Sequence, residues 1–324
     1  MNRRQYLAAT VAVVPIAGCT SDDGDSGSIG DSSSSENVKL LESAQDELET
    51  AIDTFESELD SIDGTDSRIS FQGETIQAHL DQAESYLDDA EEETVEQNDW
   101  IEAMREVISF MGSFIMAFES FSDGFDELQT GATYLQNERF IDAESTFIEA
   151  NDYINQSDDE LVLAREYLSE INFNEFSDTS EVDRIEIETY LEKFIALNTD
   201  LEYLTRTYRD LARGLADFMQ AAESFDNEQY NDAQDEFGNA RNHFSSAAST
   251  IREGEESATD VYIDTFIGLT CYTEAARDAA DSFLSASSSA SYSNWATAES
   301  HTTAASTALD ICDYHATYSV TLSI

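Results

Sequence analysis

From residue 16 to residue 324 the chain contains no proline; Pro15 is the only one. Sheet proteins use proline at edges and turns, whereas inside a helix it removes a hydrogen bond and clashes with the preceding turn. A proline-free stretch of this length therefore points to long, uninterrupted helices. Hydrophobic residues make up 41% of the chain and include 18 Phe and 14 Tyr. A true core can form, which excludes wholesale disorder.

The surface of such a core must be strongly acidic. There are 69 Asp and Glu against 15 Lys and Arg, a formal net charge of -54. A nucleic-acid partner is excluded, because a phosphate backbone requires a basic footprint. Lys39 and Lys193 are the only lysines. Abundant acid with almost no lysine resembles the proteins of salt-loving archaea. The physical reading is electrostatic: at ~1 M salt the Debye length falls to roughly 3 Å, which screens most of the self-repulsion.

The first residues read as an export leader. Arg3 and Arg4 precede an apolar run from Tyr6 to Ala17, too short to span a bilayer. Asn2-Arg3-Arg4-Gln5-Tyr6-Leu7 resembles a twin-arginine export signal, which implies export of a prefolded chain. Ile16-Ala17-Gly18-Cys19 resembles a lipobox, which implies cleavage before Cys19 and lipidation of that cysteine. Residues 1–18 are thus expected to be a signal peptide. Residues 19–37, rich in Ser, Gly and Asp, are expected to form a lipid-anchored acidic tether with a span of about 25 Å. Gly24-Asp25-Ser26-Gly27 has the look of a serine-hydrolase loop, but a tether offers neither an oxyanion hole nor an oriented histidine.

Residues 38–324 are expected to form one all-α domain, an elongated array or bundle of about eight long helices in antiparallel hairpins. Leu41, Leu48, Ile52, Phe55, Leu59 and Ile62 define one seam; Ile76, Leu80, Ala83, Leu87 and Ala90 define the next. The run Val107 to Phe118 reads as buried helix rather than membrane span. Expected helices fall near 38–63, 71–95, 99–136, 139–171, 181–226, 229–252, 258–289 and 294–317. The break at Asn172–Ser180 marks two candidate halves, 38–171 and 181–324.

An internal duplication runs through this region. Residues 101–154 align without a gap with residues 191–244, an offset of 90. Apolar pairs include Met104/Phe194, Met111/Leu201, Phe118/Tyr208 and Phe121/Leu211. The specific part is Asn137-Glu138-Arg139-Phe140-Ile141-Asp142-Ala143 against Asn227-Glu228-Gln229-Tyr230-Asn231-Asp232-Ala233. Phe147/Phe237 and Ala150/Ala240 follow in phase. A degenerate third copy lies at Trp295, Ala298, Ala305 and Leu309, and a fourth hint at Asn98-Asp99-Trp100 with Ala103. Gly124 and Gly214 are equivalent in the duplication, which predicts a kink or close helix crossing. The aromatic, the alanines and the bulky residue between them resemble helix B of a tetratricopeptide repeat; Gly131 and Tyr134 sit where its helix A carries Gly and Tyr. That resemblance implies hairpins of the same style, whose usual cargo is a peptide or protein segment.

No catalytic constellation emerges, so no enzyme, cofactor or metal is expected. His79, His243, His301 and His315 lack the Glu three residues earlier that ferritin-like sites use. Cys312 and His315 share a helix face but have no second pair. Asn155-Gln156-Ser157 is a candidate glycosylation sequon at Asn155. With Cys19 lipidated, Cys271 and Cys312 remain, level across the expected last hairpin, and a disulfide between them is predicted. The expected function is a lipid-anchored protein–protein interaction or scaffolding module on the extracellular face of a halophilic archaeal membrane. Its expected partners are the bilayer, through Cys19, and a cell-envelope protein or peptide. The competing reading is a helical solute- or metal-binding lipoprotein serving a transporter.

Overall fold

The computed structural model describes residues 31–61, 71, 73–90, 95–173 and 184–309. Every element among them is helical: α1 (Asp31–Ser61), α2 (Gly73–Asp89), α3 (Val95–Gln136), α4 (Phe140–Glu170), α5 (Arg184–Asp226), α6 (Tyr230–Glu255), α7 (Ile263–Ser291) and α8 (Trp295–Leu309). The protein is an all-α array of helices packed in adjacent pairs. Helix α1 starts at Asp31, seven residues ahead of the expected Val38, so its first two turns occupy the end of the segment expected as tether. The leader and the rest of the tether lie outside the described residues.

Two compact units divide the chain, and their boundary differs from the expected halves. One unit runs to Ser122 and resumes at Gln156–Ile195; the other combines Asp123–Asn155 with the chain from Ala196 onward. The division falls inside α3, α4 and α5 rather than at the Asn172–Ser180 connection. The reason is length. Helices of 42 and 43 residues, about 60 Å each, are long enough to serve two cores.

The first unit is organised by phenylalanine. Along α1, Leu41, Ala44, Leu48, Ala51, Ile52 and Phe55 are buried, the expected seam. Along α2 the buried row is Ile76, Leu80, Ala83 and Leu87. Phe55 meets Phe71, Phe114 and Phe118 edge-on at 5.7–5.9 Å, and Phe194 closes the group against Phe114, Phe118 and Phe121. Such offset and edge contacts contribute about 0.5–1.5 kcal/mol each beyond burial. Val107, Ile108, Phe110, Met111, Ile115, Ala117 and Phe118 are buried, as their run between Glu106 and Glu119 predicts. Asn98-Asp99-Trp100 lies within the unbroken helix α3 and makes no turn, which corrects the fourth repeat hint. No helix among the described residues is long and apolar enough to cross a membrane.

The second unit holds three successive helical hairpins. They are the end of α3 with the start of α4, the body of α5 with α6, and α7 with α8. Each is joined by three residues: 137–139, 227–229 and 292–294. Helix α7 packs on both α6 and α8. Phe147 of α4 stacks on Tyr208 of α5 at 5.4 Å, and Phe237 of α6 stacks on Phe283 of α7 at 5.2 Å. Each hairpin's second helix is thus bonded to the first helix of the next.

Candidate functional site

The three hairpin turns share one geometry. In the first, Glu138 takes φ 57°, its N–H donates to the carbonyl of Leu135 at 3.0 Å, and the Arg139 N–H donates to Tyr134 at 2.9 Å. In the second, Glu228 takes φ 60°, with Glu228 to Phe225 at 3.0 Å and Gln229 to Ser224 at 2.9 Å. In the third, Ser293 takes φ 60°, with Ser293 to Ala290 at 2.8 Å and Asn294 to Ser289 at 2.9 Å. This pair of reversed bonds around one left-handed residue is a Schellman stop, which satisfies the last carbonyls of the outgoing helix. The new helix starts at once: Ala143, Ala233 and Ala298 donate their N–H groups to Arg139, Gln229 and Asn294.

Small residues let the helices of each hairpin meet. Ala143, Ala150, Ala233, Ala240 and Ala305 have no exposed surface. A Cβ on Gly124 would stand 2.7 Å from Cδ1 of Ile154, and a Cβ on Gly214 would stand 2.5 Å from Cε1 of Phe244. The two glycines face equivalent partners in the duplication, so the expected close crossing is present in both copies. Gly131 lies under Phe147 in the same way, at 2.5 Å. Its counterpart Ala221 joins Ala233 and Phe237 in a buried cluster, with Phe218, Phe225, Phe283 and Leu284 around it. The aromatic after each turn is not fully enclosed. Trp295 is 56% exposed and meets Tyr230 edge-on at 5.7 Å.

Helix α5 carries two buried carboxylates. Asp210 accepts from the guanidinium of Arg209 at 2.9–3.0 Å and from the Ser246 hydroxyl at 2.6 Å. Arg213, beside it, donates to Glu144 of α4 at 2.5 Å. Asp200 accepts from the backbone N–H of Thr259 at 3.0 Å and from its hydroxyl at 2.5 Å. Burial pushes the Asp200 carboxyl above its ordinary range against the opposing pull of those two bonds. The same burial, with the charge of Asp200, raises the phenol of Tyr262. Asp217 is raised chiefly by burial; His243, at 3.5 Å, pulls it down, while Glu236 and Glu144 push it up. These groups tie α4, α5, α6 and the α6–α7 connection together. Only the core pattern was visible in the sequence, because one aspartate among so many acids carries no signal of burial.

The residues singled out from the sequence scatter. Cys19 and Cys312 lie outside the described residues, as does His315. Cys271, half-buried on α7, is disulfide-bonded. Asn155 is exposed in the middle of α4, whereas Ser157 of the same sequon is fully buried. His79 pairs with Glu47 at 2.7 Å, His243 with Asp217, and His301 sits half-buried on α8. Among the described residues no group of three or more His, Cys, Asp or Glu side chains is arranged to hold a metal ion.

The fold and this seam define a class: an all-α protein of repeated helical hairpins. Comparison with protein-family models, with curated proteins and with solved structures finds no match for the chain.

Proposed function

We propose that the chain is an exported lipoprotein of a halophilic archaeal envelope, held at the extracellular face by lipid on Cys19, and that its hairpins form a tetratricopeptide-like scaffold for another envelope protein. The observation that carries this reading is the threefold recurrence of one turn and one small-residue row, with an aromatic stack onto the next hairpin at both junctions. Repeats of this kind add surface in one direction and present side chains at regular intervals, which suits recognition of extended or helical segments. The leader motifs and the charge of -54 support the location and the saline solvent.

The test is affinity recovery of the tagged chain from detergent-solubilised envelopes in molar salt, beside a Cys19→Ser variant. The expected result is one envelope protein recovered in stoichiometric amount, with the variant released from membranes. A wild type that recovers no partner, or a variant that fractionates with membranes as the wild type does, would count against the scaffold or the anchor respectively.

A further inference from the structure

The three hairpins contain an internal control. Opposite its buried row Ala143, Phe147, Ala150 and Ile154, helix α4 presents the column Ile141, Ser145, Ile148 and Asp152, all exposed. Ile141 is 78% exposed and Ile148 38%. The equivalent column of α6 is Asn231, Asp235, Gly238 and Asn242, and that of α8 is Ala296, Ser300, Thr303 and Thr307. A Cβ on Gly238, the counterpart of Ile148, would touch nothing within 4 Å. The same turn and the same buried row therefore form without a bulky aliphatic side chain at these positions. The hairpin geometry does not require isoleucine at either position. One exposed apolar residue is ordinary, but two in register on one helix, seven residues apart, form a stripe that a partner helix can cover.

The surroundings select the partner. Glu149 and Asp152 flank the stripe, and Asp142 at its start is engaged by Arg139 at 2.8 Å. Lysines or arginines can pair with these carboxylates at contact distance, where molar salt screens least, whereas a second copy of this chain, with 15 Lys and Arg against 69 Asp and Glu, offers them few cations. We propose that the outward column of α4 from Ile141 to Asp152 docks a basic amphipathic helical segment of a partner protein. Its apolar side chains seat on Ile141 and Ile148, and its lysines or arginines face Glu149 and Asp152. The proposal rests on the scaffold reading and names the chemistry of its partner.

The experiment titrates the full chain, at a salt concentration where it is folded, with a synthetic Leu/Lys amphipathic peptide of about 18 residues, long enough to form a helix. One peptide should bind per chain, and a Leu/Glu peptide of the same pattern should not. Ile141→Asn with Ile148→Gln should weaken binding by about tenfold or more with unchanged far-ultraviolet circular dichroism, the loss expected from removing two apolar contacts. Transplanting the stripe with its flanking carboxylates, by Asn231→Ile, Gly238→Ile, Asn239→Glu and Asn242→Asp, should raise the stoichiometry to two. Equal binding by wild type and the Ile141/Ile148 variant overturns the proposal. So does equal binding of the Leu/Glu peptide, a graft that stays at one peptide per chain, or capture by phosphatidylcholine vesicles with no peptide binding. An envelope partner recovered equally by wild type and the Ile141/Ile148 variant overturns it while the scaffold reading stands. Loss of both peptide binding and partner recovery in the wild type sinks both.

Discussion

Gly214 lies beneath the ring of Phe244, so close that a methyl group on the glycine would stand 2.5 Å from Cε1 and 2.6 Å from Cδ1. Phe244 is itself buried, so the ring or the helix must shift within the core to admit that methyl group. An alanine here gains about 1 kcal/mol of helix propensity but costs about 1–3 kcal/mol in overpacking. Gly214→Ala should therefore lower stability. Gly238→Ala, on α6 with open space around it, should raise stability by about 0.5–1 kcal/mol. Chemical denaturation of the two variants checks the pair, and a stabilising Gly214→Ala would refute the contact.

Glu138, Glu228 and Ser293 hold the left-handed position that glycine usually fills in a Schellman stop. An L side chain there costs on the order of 1 kcal/mol. Glu228→Gly should raise the denaturation midpoint, whereas Glu228→Ala, which keeps a Cβ, should not. Equal effects from the two would remove backbone strain as the cause.

Asp200 sets a pH dependence whose sign follows from burial. Its carboxyl titrates above the ordinary aspartate range in the fold, so the folded chain holds this proton more tightly than the unfolded chain. The contribution favours folding at low pH and is lost as pH rises from the ordinary aspartate value to the raised one. Asp200→Asn keeps an acceptor for Thr259 and removes the charge. It should be more stable than wild type near neutral pH, with the difference shrinking in acid. A difference that grows in acid would contradict the assignment.

Salt should matter throughout. A net charge of -54 opposes compaction in dilute buffer, and only high ionic strength screens it at short range. Helical circular dichroism and melting temperature should both rise from roughly 0.1 M to roughly 3 M NaCl, as the Debye length shrinks from about 10 Å to below 3 Å. A melting temperature flat across that range would argue against a salt-adapted surface.

Cys271 should be found joined to Cys312 when unreduced protein is denatured, alkylated and mapped by mass spectrometry. The loop so closed could contribute about 4 kcal/mol by restricting the unfolded chain. Full alkylation of both cysteines without prior reduction would exclude the bond.

Much of the fold was legible because its signals are periodic and redundant. Leu48, Ile52 and Phe55 on α1, and Ile76, Leu80 and Leu87 on α2, recur at helical spacing and are all buried. The hairpin turns were legible because Asn137-Glu138 and Asn227-Glu228 repeat with the alanines that follow. Asp200 and Asp210 were not legible. Nothing in a run of acidic residues marks the two that tertiary packing removes from water; that depends on where Thr259 and Ser246 are brought.

The sequence by itself determined the helices, their stops and the faces they bury, since these depend on spacing within one segment. Only the tertiary structure decided which core each stretch of a long helix joins. Phe118 and Tyr208 occupy the same place in the duplication, and both are buried. Yet Phe118 packs among Phe55, Phe71 and Phe194 in the first unit, while Tyr208 stacks on Phe147 in the second. Hydrophobic burial is non-directional, so an apolar position states that it will be covered and leaves the covering side chain to be chosen by the packing of the whole chain.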